Sequence, residues 1–196
     1  MKKALCLATV MTLLFAVSGF AGQLAAPAGP DNAPRIGEPA PDFQVTAGGR
    51  GAQPMSLKDY QGKKRVLLMF FPAAFSPGCT TEFTEAGQFY EKLTALNIQM
   101  LGISADLPFA QRAFKDSVSP KGPDGKPLQL EALTFVSDRS LAISQKYDAA
   151  NPNGSKRYYF LIDDKGKILW RSVNNSLIPT EKLIADLGEA PKSAGN

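Results

Sequence analysis

The chain has 196 residues, no histidine, one tryptophan and two cysteines. The absence of histidine excludes a Ser-His or Cys-His catalytic pair, a zinc site with imidazole ligands and a histidine pH switch. The formal net charge is only +4, which by itself gives no support for binding nucleic acid. The apolar fraction of 44% is that of a folded protein, and the length suits one domain with a hydrophobic core.

The first 21 residues have the pattern of a secretory signal peptide. Lys2 and Lys3 precede an apolar run over residues 4–17, and small residues up to Ala21 offer a cleavage site. The run is too short to span a bilayer comfortably, and an uncleaved membrane anchor is the alternative interpretation. We therefore expect export across the inner membrane into the periplasm, with no membrane contact after cleavage. Loss of Cys6 would leave Cys79 as an odd thiol, which must be buried, paired with another molecule or reactive.

The remaining chain is predicted to contain one domain. Residues 22–34 are rich in Ala, Pro and Gly and indicate a linker, the domain is expected over 35–190, and 191–196 form a tail. Two continuous apolar runs, over 65–71 and 98–104, predict strands that are buried on both faces of a sheet.

The segments between and after these strands predict the rest of the fold. Residues 80–96 have helical spacing, so a right-handed strand-helix-strand unit with parallel strands is expected. Strands over 157–162 and 167–173 form a predicted hairpin. Other predicted elements are helices over 107–114, 140–147 and 180–187, the last with Thr180 as N-cap, a strand over 133–137 and a loop over 117–128. The pattern indicates an α/β fold with a central mixed β-sheet and helices on both faces.

Cys79 lies at the most informative position in the chain. It follows the first buried strand after a proline-bounded loop, and a helix is predicted to begin near Thr80. The unpaired N–H groups and positive dipole at a helix N-terminus favour a thiolate over a thiol. Ser76 can donate an O–H bond to the sulfur, and an arginine from a neighbouring strand would complete the site. The alternative interpretation is that Cys79 is a small buried apolar residue.

These residues also carry a resemblance. Pro72, Ser76 and Cys79 match the Pro-x-x-x-(Thr/Ser)-x-x-Cys signature of the peroxiredoxins, the thiol peroxidases of the alkyl hydroperoxide reductase and thiol-specific antioxidant family. Residues 36–43, 56–62 and 135–138 resemble further family motifs, and residues 103–111 are most similar to the bacterial thiol-peroxidase subgroup. The likeness spans about residues 35–187.

The resemblance implies a thioredoxin-like fold and a peroxidase reaction. Cys79 would attack a hydroperoxide and become a sulfenic acid, with no cofactor and no metal. Arg157 falls where the family places its catalytic arginine. Together with Ser76 and the backbone N–H groups of Gly78 and Cys79, it would stabilise the leaving oxygen.

Two other residues are expected to support this site. Pro72 would shield the sulfur from bulk water. Glu82 would hold Arg157 in place through a charge-assisted hydrogen bond rather than transfer a proton.

The chain departs from the resembled subgroups at the resolving cysteine. Lys115 and Thr84 occupy the two positions where these subgroups can carry a second thiol. A one-cysteine enzyme is therefore expected, with hydrogen peroxide or an organic hydroperoxide as substrate and an external thiol or thioredoxin-like protein as reductant. Family members form dimers, so a homodimer is one expected assembly.

Two other functions remain open on the residues alone. A thioredoxin-like thiol-disulfide oxidoreductase shares this architecture, but it needs a Cys-x-x-Cys pair, and Glu82 stands in place of the second cysteine. A non-catalytic thioredoxin-fold binding protein would have no need for Pro72, Ser76, Cys79 and Arg157 together.

Overall fold

The computed structural model describes residues 31–46 and 53–191. The predicted signal peptide, most of the predicted linker and residues 192–196 lie outside the described residues. The strands are β1 (Gln44–Thr46), β2 (Pro54–Ser56), β3 (Arg65–Phe70), β4 (Ile98–Ser104), β5 (Leu133–Ser137), β6 (Ala150–Asn151), β7 (Gly154–Ser155), β8 (Tyr158–Ile162) and β9 (Ile168–Ser172). The α-helices are α1 (Pro77–Gln88), α2 (Tyr90–Ala95), α3 (Pro108–Val118), α4 (Ala142–Lys146) and α5 (Thr180–Glu189), and a 3-10 turn spans Leu57–Tyr60.

Five strands form the central sheet in the order β5-β4-β3-β8-β9. Strands β3, β4 and β5 are parallel, whereas β8 runs antiparallel to both β3 and β9. The predicted mixed sheet, its parallel strand-helix-strand unit and its C-terminal hairpin are therefore confirmed. Every residue of β4 is buried, as its continuous apolar run predicts.

Helices cover the sheet on both faces. Alternate residues of β3 point to opposite sides, so Leu67 joins a core with α1, α2, α3 and α5, whereas Leu68 joins a core with α4 and the 3-10 turn. The first core contains a group of close aromatic rings, in which the centroids of Phe83 and Phe135 are 4.8 Å apart. Within the described ranges, none of the helices has both the length and the apolar character needed to cross a membrane.

Two helix predictions are corrected by the structure. The segment predicted as one helix over 80–96 starts earlier, at Pro77, because proline suits the first helical position, and it is divided at Phe89 into α1 and α2. The loop after α3 packs beside this break, since a Cβ atom on Gly87 would lie 3.1 Å from Pro120. Thr180 is not the N-cap of α5, because Pro179 holds that position and the Thr180 hydroxyl donates to Glu85 at 3.0 Å.

The sheet topology brings two distant segments together. Because β8 is antiparallel to β3, its first residue, Tyr158, pairs with Phe70 at the end of β3. The loop that leads from β3 to α1 therefore lies beside the residue that precedes β8, Arg157. This is where an open α/β sheet commonly binds its ligands.

Candidate active site

The loop over residues 72–76 is held at both ends by tertiary contacts. The backbone N–H of Ala74 donates to the Asp106 carboxylate at 2.7 Å. The backbone of Gly154, the first residue of β7, approaches the Pro72 carbonyl so closely that a Cβ atom would be 3.0 Å from it, and its φ of +134° also favours glycine. Phe75 has a φ of +63°, a strained value for an aromatic residue, and its side chain is exposed. The loop is therefore fixed in one unusual conformation.

Cys79 lies in the first turn of α1. The N-cap is Ser76, and the first intrahelical hydrogen bond joins the Thr80 N–H to the Ser76 carbonyl at 2.8 Å. The backbone N–H groups of Gly78 and Cys79 come before that bond and can donate to an incoming oxygen. The Cys79 side chain has no exposed surface, and it is a free thiol.

Arg157 reaches this sulfur from the neighbouring strand. Its Nη2 atom lies 3.0 Å from the Cys79 Sγ, and its Nε donates to the Glu82 Oε2 atom at 3.0 Å. Burial lowers the pKa of Arg157, but the Glu82 carboxylate, with smaller contributions from Cys79 and Tyr159, acts in the opposite direction and the net change is upward. A permanent positive charge thus faces the sulfur, as an anionic thiolate requires.

Glu82 is a buried carboxylate with two donors. Its side chain is 3% exposed, and besides Arg157 it accepts a hydrogen bond from the Tyr159 hydroxyl at 2.6 Å. Burial raises the pKa of Glu82, and it outweighs the hydrogen bond from Tyr159 and the charge of Arg157, which act in the opposite direction, so the net change is upward. The pKa of Tyr159 is also raised, by burial first and then by the adjacent carboxylate.

The predicted contact of Ser76 is the one that the structure does not show. Its hydroxyl donates to the Ala73 carbonyl at 3.0 Å, and among the described residues it makes no hydrogen bond to Cys79. A hydroxyl has a single proton, and the local carbonyl accepts it. Pro72, by contrast, is half-buried in the loop before the helix that carries the sulfur.

Two residues of the site were not identified from the sequence. Tyr159 lies two residues after Arg157, so alternation along the extended chain predicts that both face the same side of the sheet, but it does not predict the partner of the Tyr159 hydroxyl. Asp106 follows β4 and has no local signal that points to the loop at Ala74, since the contact depends on how the sheet ends meet. In the described ranges, no group of three or more Cys, Asp or Glu side chains could hold a metal ion.

The fold and site together define a class. A lone cysteine at a helix N-terminus, paired with a guanidinium at the edge of a thioredoxin-like sheet, is the arrangement of a thiol-dependent oxidoreductase.

Comparison with known proteins gives the family. The AhpC/TSA family matches residues 36–171. A peroxiredoxin from Aquifex aeolicus is 34% identical over 139 residues, which are 68% of this chain and 58% of that protein. Peroxiredoxin-2 from Macaca fascicularis is 35% identical over 144 residues, covering 72% of this chain and 70% of that protein. The chain thus spans a little over half of the Aquifex protein's length.

Solved structures agree with the fold. The reduced 2-Cys peroxiredoxin of Plasmodium vivax superposes with a TM-score of 0.65 at 25% identity, covering 78% of this chain and 80% of that chain. The peroxidoxin BcpB of Mycobacterium tuberculosis gives a TM-score of 0.65 at 21% identity, over 79% of this chain and 97% of that chain, and supports the fold alone. The chain belongs to the AhpC/TSA family of peroxiredoxins, which are thiol peroxidases. The predicted family, fold and enzyme class are confirmed.

Proposed function

We propose that this protein is an exported one-cysteine peroxidase, which reduces hydrogen peroxide or an organic hydroperoxide at Cys79 and is regenerated by an external thiol. The observation that carries the proposal is the 3.0 Å contact between the Arg157 guanidinium and the Cys79 sulfur, in a helix N-terminus with free backbone donors. A half-buried cation beside the only cysteine of the described residues has a clear chemical use when that cysteine is an anion.

The reaction begins with attack of the Cys79 thiolate on the distal oxygen of the peroxide. A sulfur–oxygen bond forms as the oxygen–oxygen bond breaks, so sulfur loses two electrons and the peroxide gains them. The distal oxygen keeps its proton and becomes the sulfenic hydroxyl. The leaving oxygen departs as an anion and takes a proton from solvent to give water or an alcohol.

The charge that grows on the leaving oxygen is stabilised by fixed donors. Arg157 is held on the site by Glu82, and the backbone N–H groups of Gly78 and Cys79 have no partner within the helix. In this proposal the Ser76 hydroxyl turns from the Ala73 carbonyl toward the bound peroxide, which restores its expected role as a donor. Because Arg157 and the two backbone N–H groups stand in place before the peroxide arrives, only the Ser76 hydroxyl has to reorient.

Regeneration requires thiols from outside the chain. An external thiol attacks the sulfenic sulfur, releases water and forms a mixed disulfide with Cys79. A second thiol then displaces the Cys79 thiolate and leaves the external pair as a disulfide. At one of the expected resolving positions the chain has Lys115 instead of a cysteine. The Lys115 ammonium donates to the Leu130 and Leu133 carbonyls at 3.0 and 2.6 Å.

The first test uses stoichiometric hydrogen peroxide and the reduced full chain. Peptide mass mapping should find one added oxygen on the Cys79 peptide, or the probe adduct when a sulfenic-acid probe is present, and the reaction should be far faster than that of free N-acetylcysteine measured as a reference. Cys79→Ser is the control for probe specificity. Oxidation of Cys79 no faster than a free thiol would instead favour a binding protein, and reaction with protein disulfides alone would favour a thiol-disulfide oxidoreductase.

Export has a separate test, because it depends on the N-terminal pattern rather than on the site. Amino-terminal sequencing of the protein from a periplasmic extract should find a chain that starts near residue 22. Recovery of a chain that still starts at Met1, in the cytosol or the membrane, would overturn this part of the proposal.

A further inference from the structure

Four side chains form a continuous line of hydrogen bonds that ends at the sulfur. The Tyr159 hydroxyl donates to Glu82 Oε1 at 2.6 Å, and Glu82 Oε2 accepts from Arg157 Nε at 3.0 Å. Arg157 Nη2 then lies 3.0 Å from the Cys79 Sγ. Tyr159 has no exposed surface and is the only member of this line that the proposed reaction does not use.

We propose that Tyr159 is a positioning residue that keeps Glu82 ionised, so that Arg157 stays oriented on the Cys79 sulfur at mildly acidic pH. The proposal rests on the peroxidase function proposed above. Tyr159 does not contact the reacting atoms, and it acts through Glu82 and Arg157.

The need for such a residue follows from the burial of Glu82. A buried carboxylate tends to take up a proton, because the charged form loses its hydration. Only the ionised carboxylate can accept from Tyr159 and Arg157 on its two oxygens without carrying a proton of its own. Loss of the Tyr159 donor would leave Oε1 without its hydrogen-bond partner, so the neutral acid would be favoured.

The surroundings of Glu82 contain the charges that compete with this effect. From its own helix, Cys79 lies one turn before it and Glu85 acts as a like charge that raises its pKa. From β8 and the residue before it, Tyr159 and Arg157 act to lower that pKa. From α5, the uncharged Thr180 hydroxyl donates to Glu85 at 3.0 Å.

The orientation of Tyr159 is also fixed. It lies on β8 with its ring in the core between the sheet and α1, on the same face as Arg157. Its hydroxyl lies 2.6 Å from Glu82 Oε1, so the hydroxyl proton is directed toward the carboxylate.

A neutral Glu82 would weaken the site in a specific way. The guanidinium would lose its charged partner and would no longer be held at the angle that points Nη2 to the sulfur. The rate of Cys79 oxidation would then fall at a higher pH than in the wild type. We call the low-pH part of this rate profile, where the rate falls, the acidic limb. Loss of one hydrogen bond to a charged group should move the acidic limb upward by about one to two pH units.

The test compares the pH dependence of Cys79 oxidation by hydrogen peroxide in wild type, Tyr159→Phe and a matched control. Tyr147→Phe also removes a single buried hydroxyl, which donates to the Pro41 carbonyl at 2.8 Å on the other face of the sheet. We expect the acidic limb to move toward neutral pH in Tyr159→Phe and not in Tyr147→Phe. An acidic limb at the wild-type position in a folded Tyr159→Phe protein would overturn the proposal.

A second comparison separates action through Glu82 from any other effect of Tyr159. The position of the acidic limb depends on Cys79 and Glu82 together, because the two groups interact. In the Glu82→Gln variant the side chain at position 82 is neutral at every pH. Adding Tyr159→Phe to this variant should therefore leave its acidic limb where it is. A shift as large as that in the wild-type background would show that Tyr159 acts by another route.

A third readout depends neither on activity nor on the folding of Tyr159→Phe. The infrared difference spectrum between wild type and Glu82→Gln should show an ionised carboxylate at pH 7. A protonated carboxyl band at that pH would refute the inference. Failure of the peroxidase function would instead appear as slow Cys79 oxidation in the wild type at every pH, whatever the state of Glu82.

Discussion

Arg157 offers the sharpest mutational prediction, because one side chain contacts both the sulfur and the carboxylate that orients it. Arg157→Ala removes the donor 3.0 Å from the Cys79 Sγ and leaves Glu82 without its cationic partner. A hydrogen bond to a charged group contributes about 1.5–3 kcal/mol. If this contribution is made chiefly in the transition state, the rate constant of Cys79 oxidation falls by roughly 10- to 150-fold.

The assay is the second-order rate of Cys79 oxidation by hydrogen peroxide, followed by quenching and mass analysis. Arg139→Ala is the matched control, since Arg139 is an exposed arginine. It should react at the wild-type rate. Arg157→Lys should recover part of the loss at most, because an ammonium cannot donate from two fixed nitrogens to Glu82 and the sulfur. Wild-type kinetics in Arg157→Ala would refute the assignment of this arginine.

Two further predictions concern the packing and the loop around the site. Gly102→Ala places a Cβ atom 2.9 Å from the Phe135 ring and 3.1 Å from Phe83, and this overpacking should lower the free energy of unfolding by about 1–3 kcal/mol, measured by chemical denaturation. A wild-type denaturation midpoint would contradict that packing. Asp106→Ala removes the acceptor of the Ala74 N–H and should slow Cys79 oxidation several-fold, whereas Asp106→Asn, which keeps a side-chain oxygen, should restore most of the rate. Equal rates in Asp106→Ala and wild type would show that this contact does not position the loop.

Much of the fold could be predicted from the sequence because its signals are local. The run at residues 98–104 is apolar apart from Gln99 and Ser104, and it becomes β4 with the same bounds. The turn with Gly166 at φ +82° joins the predicted hairpin strands. Such elements need no knowledge of their neighbours, since burial and turn chemistry specify them.

The errors arise where tertiary contacts decide. Periodicity predicts one helix over 80–96, but the helix is interrupted at Phe89, where the loop carrying Pro120 packs against Gly87. The Thr180 hydroxyl was expected to cap its own helix, and it donates instead to Glu85, 95 positions earlier in the chain. A sequence pattern does not contain such pairings, because they depend on how helices meet.

The site shows the same division. Cys79 and its helix N-terminus follow from a strand, a proline-bounded loop and a helix in succession. Arg157 came from the family resemblance, and its reach to the sulfur depends on the antiparallel pairing of β3 with β8. The structure does not show the predicted contact of Ser76 with the sulfur, because a nearby carbonyl at Ala73 takes the hydroxyl proton. Tyr159 was missed because its hydroxyl lies beyond a buried ring whose partner is set by that same pairing.

The central claim is that Arg157 and the helix N-terminus hold Cys79 as a thiolate. Measuring the ionised fraction of Cys79 in the reduced protein tests this claim most directly. The pH dependence of its alkylation by iodoacetamide, or of thiolate absorbance with Cys79→Ser as the blank, reports the charged form. The arrangement of Arg157 and the helix N-terminus predicts a thiolate at pH 7 in the wild type, and a smaller thiolate fraction in Arg157→Ala. Alkylation at pH 7 that is no faster than that of a free cysteine, with no difference between the two proteins, would contradict the account.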